Sequence, residues 1–245
     1  MSRMLTLSSR NAKEIFRDAS TYIFGIALPV ALLVIMGLIG KNTGVPNFQV
    51  GSFAPGMAVF SMSFITLFSG ILIARDRGTS FLARLLASPM TASDFILGYA
   101  FPLLPAAVVQ TAVCLATAFA LGLPAGSGAL LCVVALLPSA LLFVGLGLLF
   151  GCLFSEKQVA PLSSVLVNVV SLLGGVWFDV SLLGGALKTF CEVLPFTHCV
   201  YAARYGLSGD MGAALPHMLI VLAYAAAVFF AAVLVFRRRM RSGNP

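Results

Sequence analysis

Charge is the scarcest property of this chain. Asp, Glu, Lys and Arg make up 9% of its 245 residues, against about 25% in soluble domains. With 60% hydrophobic residues there is too little polar surface to cover a water-facing globule, so an ordinary soluble domain is excluded. Also missing is a GxxxxGK[ST] loop, which excludes the usual phosphate cradle for ATP hydrolysis by the chain itself. Only two histidines occur, His198 and His217, with no cysteine or carboxylate cluster near them in sequence, and no serine lies in a nucleophile-elbow pattern. No enzyme is expected, and the histidines read as isolated structural residues. The five cysteines lack metal-ligand spacing. Cys114, Cys132 and Cys152 lie in apolar runs, where cysteine acts as a small hydrophobe. Cys191 and Cys199 are eight residues apart, about 12 Å on an unbroken helix and too far for a disulfide, although Pro195 between them leaves a bend open.

What is present is a series of apolar runs near the twenty residues needed to cross a bilayer. Residues 1–20 come first, with Arg3, Arg10, Lys13 and Arg17 against Glu14 and Asp18, and with Leu5, Ala12, Ile15, Phe16 and Ala19 at helical steps. This pattern predicts an amphipathic interfacial helix, and the run after it is too long for the core of a cleaved signal. Residues 21–245 then read as one transmembrane domain with six spans, at about 21–40 (with Pro29 as a kink), 52–74, 98–123, a run ending near Phe154, 159–178 and 211–236. Within the fourth, Gly147 and Gly151 have the spacing that lets helices approach closely. Ser163, Ser164, Asn168 and Ser171 give the fifth most of its polar atoms; Asn168 and Ser171 fit either a transport pathway or helix packing. Residues 179–210 mix apolar and polar residues in runs too short to span, which predicts a broken, partly re-entrant segment containing Pro195 and Arg204.

Orientation follows from the bases. Six spans put both termini on one side, with twelve of the fifteen Lys and Arg residues; only Lys41, Lys188 and Arg204 lie opposite. The positive-inside rule makes that side cytoplasmic, and localisation is expected in the cell membrane. The net charge of +7 is thus accounted for by topology and membrane lipid, and nucleic acid is not an expected partner.

The longest polar interruption is 75–98, RDRGTSFLARLLASPMTASDFILG. Phe81, Leu82, Leu85 and Leu86 form an apolar stripe, Arg77 and Arg84 lie on the rest of the circumference, and Pro89 stops the helix. Thr91 and Asp94 then match a capping box that starts the next helix. Taken alone, the pattern fits a basic lipid anchor as well as a docking helix. The first five spans hold no ionisable side chain in their interiors, which argues against ion-coupled transport and leaves a passive channel or scaffold open.

The segment from Asp76-Arg77 through Phe81-Leu82 and Arg84-Leu85-Leu86-Ala87-Ser88-Pro89 to Phe95-Ile96-Leu97-Gly98 resembles the coupling loop of type 2 ATP-binding-cassette (ABC) exporter permeases. Leu194-Pro195-Phe196-Thr197 leading to Arg204 is similar to the stretch before that family's last span. The resemblance implies an all-α membrane permease with an N-terminal interfacial helix, a cytoplasmic coupling helix between spans two and three, and a re-entrant segment between spans five and six. It further implies that Asp76, Arg77, Phe81, Leu82, Arg84, Leu85, Leu86 and Pro89 couple the permease to a separate nucleotide-binding ATPase subunit. That subunit would hold ATP and magnesium, and a second permease, identical or related, would complete the transporter. Many relatives carry glycine where Ser80 stands and a carboxylate near Ala83, so this loop departs from the family pattern at two positions. The implied activity is ATP-driven export of an amphipathic drug, lipid or glycan, with a channel or scaffold as the alternative.

Overall fold

The computed structural model describes residues 2–18, 23–44, 48–79, 91–124 and 126–242. Among them every regular element is helical. Helix α1 (Ser2–Arg17) is followed by a π-helical turn (Ile23–Ala27), α2 (Leu28–Thr43), α3 (Val50–Arg77) and α4 (Ala92–Ala120). Helices α5 (Gly128–Leu153), α6 (Glu156–Leu173), α7 (Gly185–Val193), α8 (Pro195–Ser208) and α9 (Met211–Ser242) complete the order, with a 3₁₀ turn (Val180–Leu182) before α7.

Five of these segments are long and apolar enough to cross a membrane: Ile23–Thr43, Val50–Arg77, Ser93–Ala120, Gly128–Leu153 and Met211–Arg238. The remaining expected span, the fifth, is α6; it is 18 residues long, about 27 Å, and its first turn carries Glu156, Lys157 and Gln158. It also ends sooner than the apolar run suggests. Gly174 and Gly175 turn the chain at its end, and Gly175 takes a left-handed φ of 78° that an L side chain resists. Pro29 lies just after the π-helical turn, inside the continuous run Ile23–Thr43; its missing N–H leaves the Gly25 carbonyl without that helical partner, and Ser61 Oγ donates to it instead at 2.5 Å.

Helix α3 is the axis of the bundle: 89% of its apolar window is buried, against 28% for the first span and 22% for the last. It packs against α5, α4, α6 and α8, while α5 in turn carries α9 and α8. The close approach of α3 and α5 depends on absent side chains. A Cβ at Gly147 would lie 1.7 Å from Ser69 Oγ and 2.5 Å from the Thr66 carbonyl oxygen, and one at Gly151 would lie 2.6 Å from the Gly70 carbonyl oxygen. The small-residue spacing read in the fifth helix is thus used in packing. Thr66 Oγ1 also donates to the Phe143 carbonyl oxygen at 3.1 Å, one of the interhelical bonds that add to such contacts.

Helix α1 packs on α4 through a face other than the apolar steps suggest. Its buried residues are Leu7, Ser8, Asn11 and Ile15, whereas Leu5 and Phe16 are exposed. Two apolar directions are present, one toward α4 and one outward. Polar Asn11 lies inward because its Nδ2 donates to the Gly98 carbonyl oxygen at 3.3 Å. At the opposite end of the bundle, the mixed segment forms two short helices broken at Leu194. Pro195 opens α8 at its first turn, where a missing N–H is harmless. Thr197 Oγ1 reaches the carbonyl oxygens of Cys191 at 2.7 Å and Leu173 at 3.1 Å, joining α6, α7 and α8. Cys191 and Cys199 are both buried free thiols.

Candidate functional site

Three consecutive residues close the last turn of α3, and each grips a different part of the bundle. Successive helical side chains point about 100° apart, so Arg75, Asp76 and Arg77 leave α3 in different directions. The consequence is a hub.

Asp76 turns inward and is 4% exposed. Arg10 of α1 meets it in a two-pronged pair, Nη1 to Oδ2 at 2.6 Å and Nη2 to Oδ1 at 2.9 Å. Arg10 Nη2 also donates to Glu14 Oε1 at 2.6 Å. The Tyr99 hydroxyl of α4 donates a short hydrogen bond to the same Asp76 carboxylate. A buried carboxylate is tolerated only when paired and hydrogen-bonded; here a guanidinium and a phenol supply both. The hydrogen bond and charge of Asp76 hold the Arg10 pKa above its ordinary value, against the effect of burial. Tyr99 is fixed in turn by Phe95, ring centroids 4.7 Å apart, and Phe95 stacks on Phe236 of α9 at 4.1 Å. One carboxylate thereby joins α1, α3 and α4, with α9 behind them.

Arg77 caps the end of α5. Its Nη1 donates to the carbonyl oxygens of Gly151 at 2.5 Å, Cys152 at 2.7 Å and Phe154 at 3.4 Å. Those carbonyls lie at the end of α5, where a cation also meets the negative pole of the helix dipole. Arg75 completes the fan with Nε to Glu156 Oε1 at 3.3 Å. Both partners there are well exposed, so this pair contributes little stability.

The chain re-enters the described region at Thr91. The expected capping box is formed: Thr91 Oγ1 accepts from the Asp94 N–H at 3.1 Å, and Asp94 Oδ2 accepts from the Thr91 N–H at 3.1 Å. Residues 80–90 are therefore flanked by an anchored helix end and a capped helix start. Of the residues expected to couple to an ATPase, Asp76 and Arg77 lie within the bundle's own polar network. Phe81, Leu82, Arg84, Leu85, Leu86 and Pro89 lie outside the described residues.

The two polar residues singled out on α6 part company. Ser171 is buried and accepts a hydrogen bond from Trp177 Nε1, so it packs the turn after α6. Asn168 is exposed, and its Nδ2 donates to the Ser164 carbonyl oxygen of its own helix at 2.8 Å. Pro161, Ser164, Val165, Asn168 and Leu172 are all exposed; their spacing makes one stripe along α6, part polar and part apolar.

At the far end, Arg204 of α8 donates to Asp179 Oδ2 at 3.0 Å and to the Gly175 carbonyl oxygen at 3.0 Å. It holds the turn after α6 against α8. For Asp179, burial acts upward, but hydrogen bonds from Ser181 and the Arg204 charge outweigh it and leave the carboxyl below its usual range. The histidines are not isolated: His198 Nδ1 and His217 Nδ1 are 2.8 Å apart. Helices α8 and α9 pack together across the turn at Gly209, which brings residues eleven before and eight after it side by side.

Sequence reading missed Arg10, Tyr99 and the histidine pair. The signal for Arg10 was its place among the bases of α1, but its partner lies 66 residues away.

A search of curated proteins finds no match. The family model described as ABC-2 type transporter matches residues 2–208, a span that takes in the hub, the glycine-packed α3 and α5, and the broken helix pair: this chain belongs to the ABC-2 type transporter family, as a multi-pass membrane permease.

Proposed function

We propose that this permease is the membrane half of an ATP-driven exporter with six spans, α6 being the fifth, and with both termini and residues 80–90 in the cytoplasm. A separate nucleotide-binding subunit, carrying ATP and magnesium, presses on the 81–89 segment through Phe81, Leu82, Leu85 and Leu86, with Arg84 at the rim. The observation that carries this reading is the hub at Arg75, Asp76 and Arg77. At the end of α3, Asp76 is tied to α1 and α4 and Arg77 to α5, so a force delivered to this helix end is shared among four helices. A passive scaffold has no need of such a link.

The exposed stripe on α6 supports a second permease copy. An amide and a hydroxyl facing lipid are costly, and a facing copy or a watery path between copies relieves that cost. The mixed polarity of Ser164, Asn168, Val165 and Leu172 suits an amphipathic substrate of the drug, lipid or glycan class. The decisive test is reconstitution of the permease in liposomes with and without a co-purifying P-loop subunit. ATP-dependent export of an amphipathic substrate only with both is expected; flux through the permease alone, indifferent to ATP, would reject the exporter and favour a channel.

A further inference from the structure

An apolar groove of about 810 Å³ runs between α4, α5 and α9, with α1 at one end. Its floor is small, with Ala100 and Ala225 buried there, and its walls are large and outward-facing: Leu97 is 49%, Phe101 54% and Phe230 66% exposed. Along α4 it extends from Ser93 to Leu104, and along α9 from Leu222 to Val233. Eleven helical steps on each wall make about 16 Å, and half of a hydrocarbon core is about 15 Å. The groove is therefore one leaflet deep.

Charge stands at its arginine-rich end. Arg237 is exposed and lies one turn beyond Val233, on the helix face that lines the groove, since residues four apart share a face. Asp94, the acid beside the α4 wall, has its carboxylate engaged in the Thr91 cap. The exposed polar stripe of α6 belongs to a helix packed on α3, so the face suited to a second permease is a different one.

We infer that this groove seats an acyl chain of an anionic phospholipid from the leaflet at the arginine-rich end, with the phosphate held at Arg237. The site requires only that the chain is an integral membrane protein, and it is independent of what the transporter exports. A bound chain would fill the space between α4 and α9 at the end where Phe95 and Phe236 stack, and so brace the helix ends around the hub.

The test uses the full-length permease in nanodiscs doped with a phospholipid carrying a photoreactive group in its acyl chain, either phosphatidylglycerol or phosphatidylcholine, with adducts mapped by mass spectrometry. Adducts are expected on Leu97, Phe101 and Phe230, with about fivefold preference for phosphatidylglycerol, the ratio one surface arginine supplies. Arg237→Gln should abolish that preference while leaving phosphatidylcholine labelling intact. Ala226→Phe, which adds a ring to the α9 wall of the groove, should reduce labelling by both lipids. Leu28, exposed on α2 and outside the groove, is the reference for ordinary annular contact. Groove labelling no greater than at Leu28, or equal labelling by the two lipids in the unmodified protein, would overturn the inference. Groove residues that stay unlabelled while Leu28 reacts would likewise overturn it and indicate a protein partner there.

Discussion

The two ends of the bundle each hold a carboxylate beside an arginine, yet the pairs do different work. At Asp76 the carboxylate is 5% exposed at the side chain, the guanidinium meets it with two nitrogens, and a phenol adds a third bond. At Asp179 the carboxylate is 40% exposed and meets one nitrogen of Arg204. The first pair joins helices 66 residues apart, and the second closes a local turn. In the first case water cannot replace a lost partner; in the second it can. The arginine-rich end is thus tied across the bundle through a buried pair, whereas the other end is tied through a solvent-accessible one that is easier to adjust.

Removing the carboxylates should break that contrast if it is wrong. Asp76→Ala strands Arg10 and the Tyr99 hydroxyl, and breaking a buried pair costs about 3–5 kcal/mol. Because Arg10 keeps a third of its surface in solvent, about 3 kcal/mol is expected, seen as a lower unfolding temperature and faster proteolysis near α1. Asp179→Ala should cost under about 1 kcal/mol. Equal losses at both ends would sink the distinction. A double-mutant cycle of Arg10→Ala with Asp76→Ala should show strong non-additivity.

Transmission through the hub also requires α3 and α5 to move as one unit. Gly147→Val places its Cβ against Ser69 and Thr66 and should destabilise by about 2 kcal/mol through overpacking. Transport should fall further than stability alone predicts, since the helices that flank the hub are pried apart. A variant with wild-type melting and transport would show that the close approach is incidental. Arg77→Gln should cost less, about 1 kcal/mol, by removing the cation from the end of α5. Here the informative readout is ATP hydrolysis by the co-purified partner, which should persist while transport declines.

Much of this fold is written in local sequence. The capping box at Thr91 and Asp94, the amphipathic α1 and the Gly147 and Gly151 spacing all depend on neighbours within a few residues, and each takes its expected form. The early end of α6 was harder, because Val176 and Trp177 continue the apolar run beyond the glycines that break the helix. Which face of α1 turns inward is not legible locally, since only the Gly98 carbonyl, 87 residues away, gives polar Asn11 an inward partner. For the hub, sequence picks out Arg75, Asp76 and Arg77 as a charged cluster but cannot say which way each points. Long-range partners such as Arg10 and Tyr99 are set by packing and leave no periodic trace.

The smallest expected effect tests the adjustable end through pH. His198 Nε2 lies 3.0 Å from the Glu192 carbonyl oxygen, which can only accept, so Nε2 carries the hydrogen and neutral His198 offers its Nδ1 lone pair. His217 Nδ1 then donates across the 2.8 Å gap, while Tyr205 stacks on the His217 ring at 5.7 Å. A second proton on His198 would set N–H against N–H unless His217 surrendered its own. Burial also lowers the His198 pKa, outweighing the favourable hydrogen bond and charge of Glu192; the Glu192 carboxylate is 3.7 Å from Lys188. The sign follows from linkage. With the folded pKa below the unfolded value of about 6.5, the unfolded chain binds more protons in that window, so the contribution of His198 to stability is complete above it and is lost as pH falls toward and through the folded value. The chain has only two histidines, the only side chains whose ordinary pKa lies in this range. The free energy of unfolding should therefore fall between pH 7.5 and 5.5, by at most about 1.4 kcal/mol per pH unit for His198. Replacing both, His198→Asn with His217→Asn, should flatten that drop, and Asp76→Ala should leave its slope unchanged. A double variant that keeps the wild-type slope would mean that the pair stays neutral without stabilising the join of α8 to α9, and would remove the case for an adjustable end.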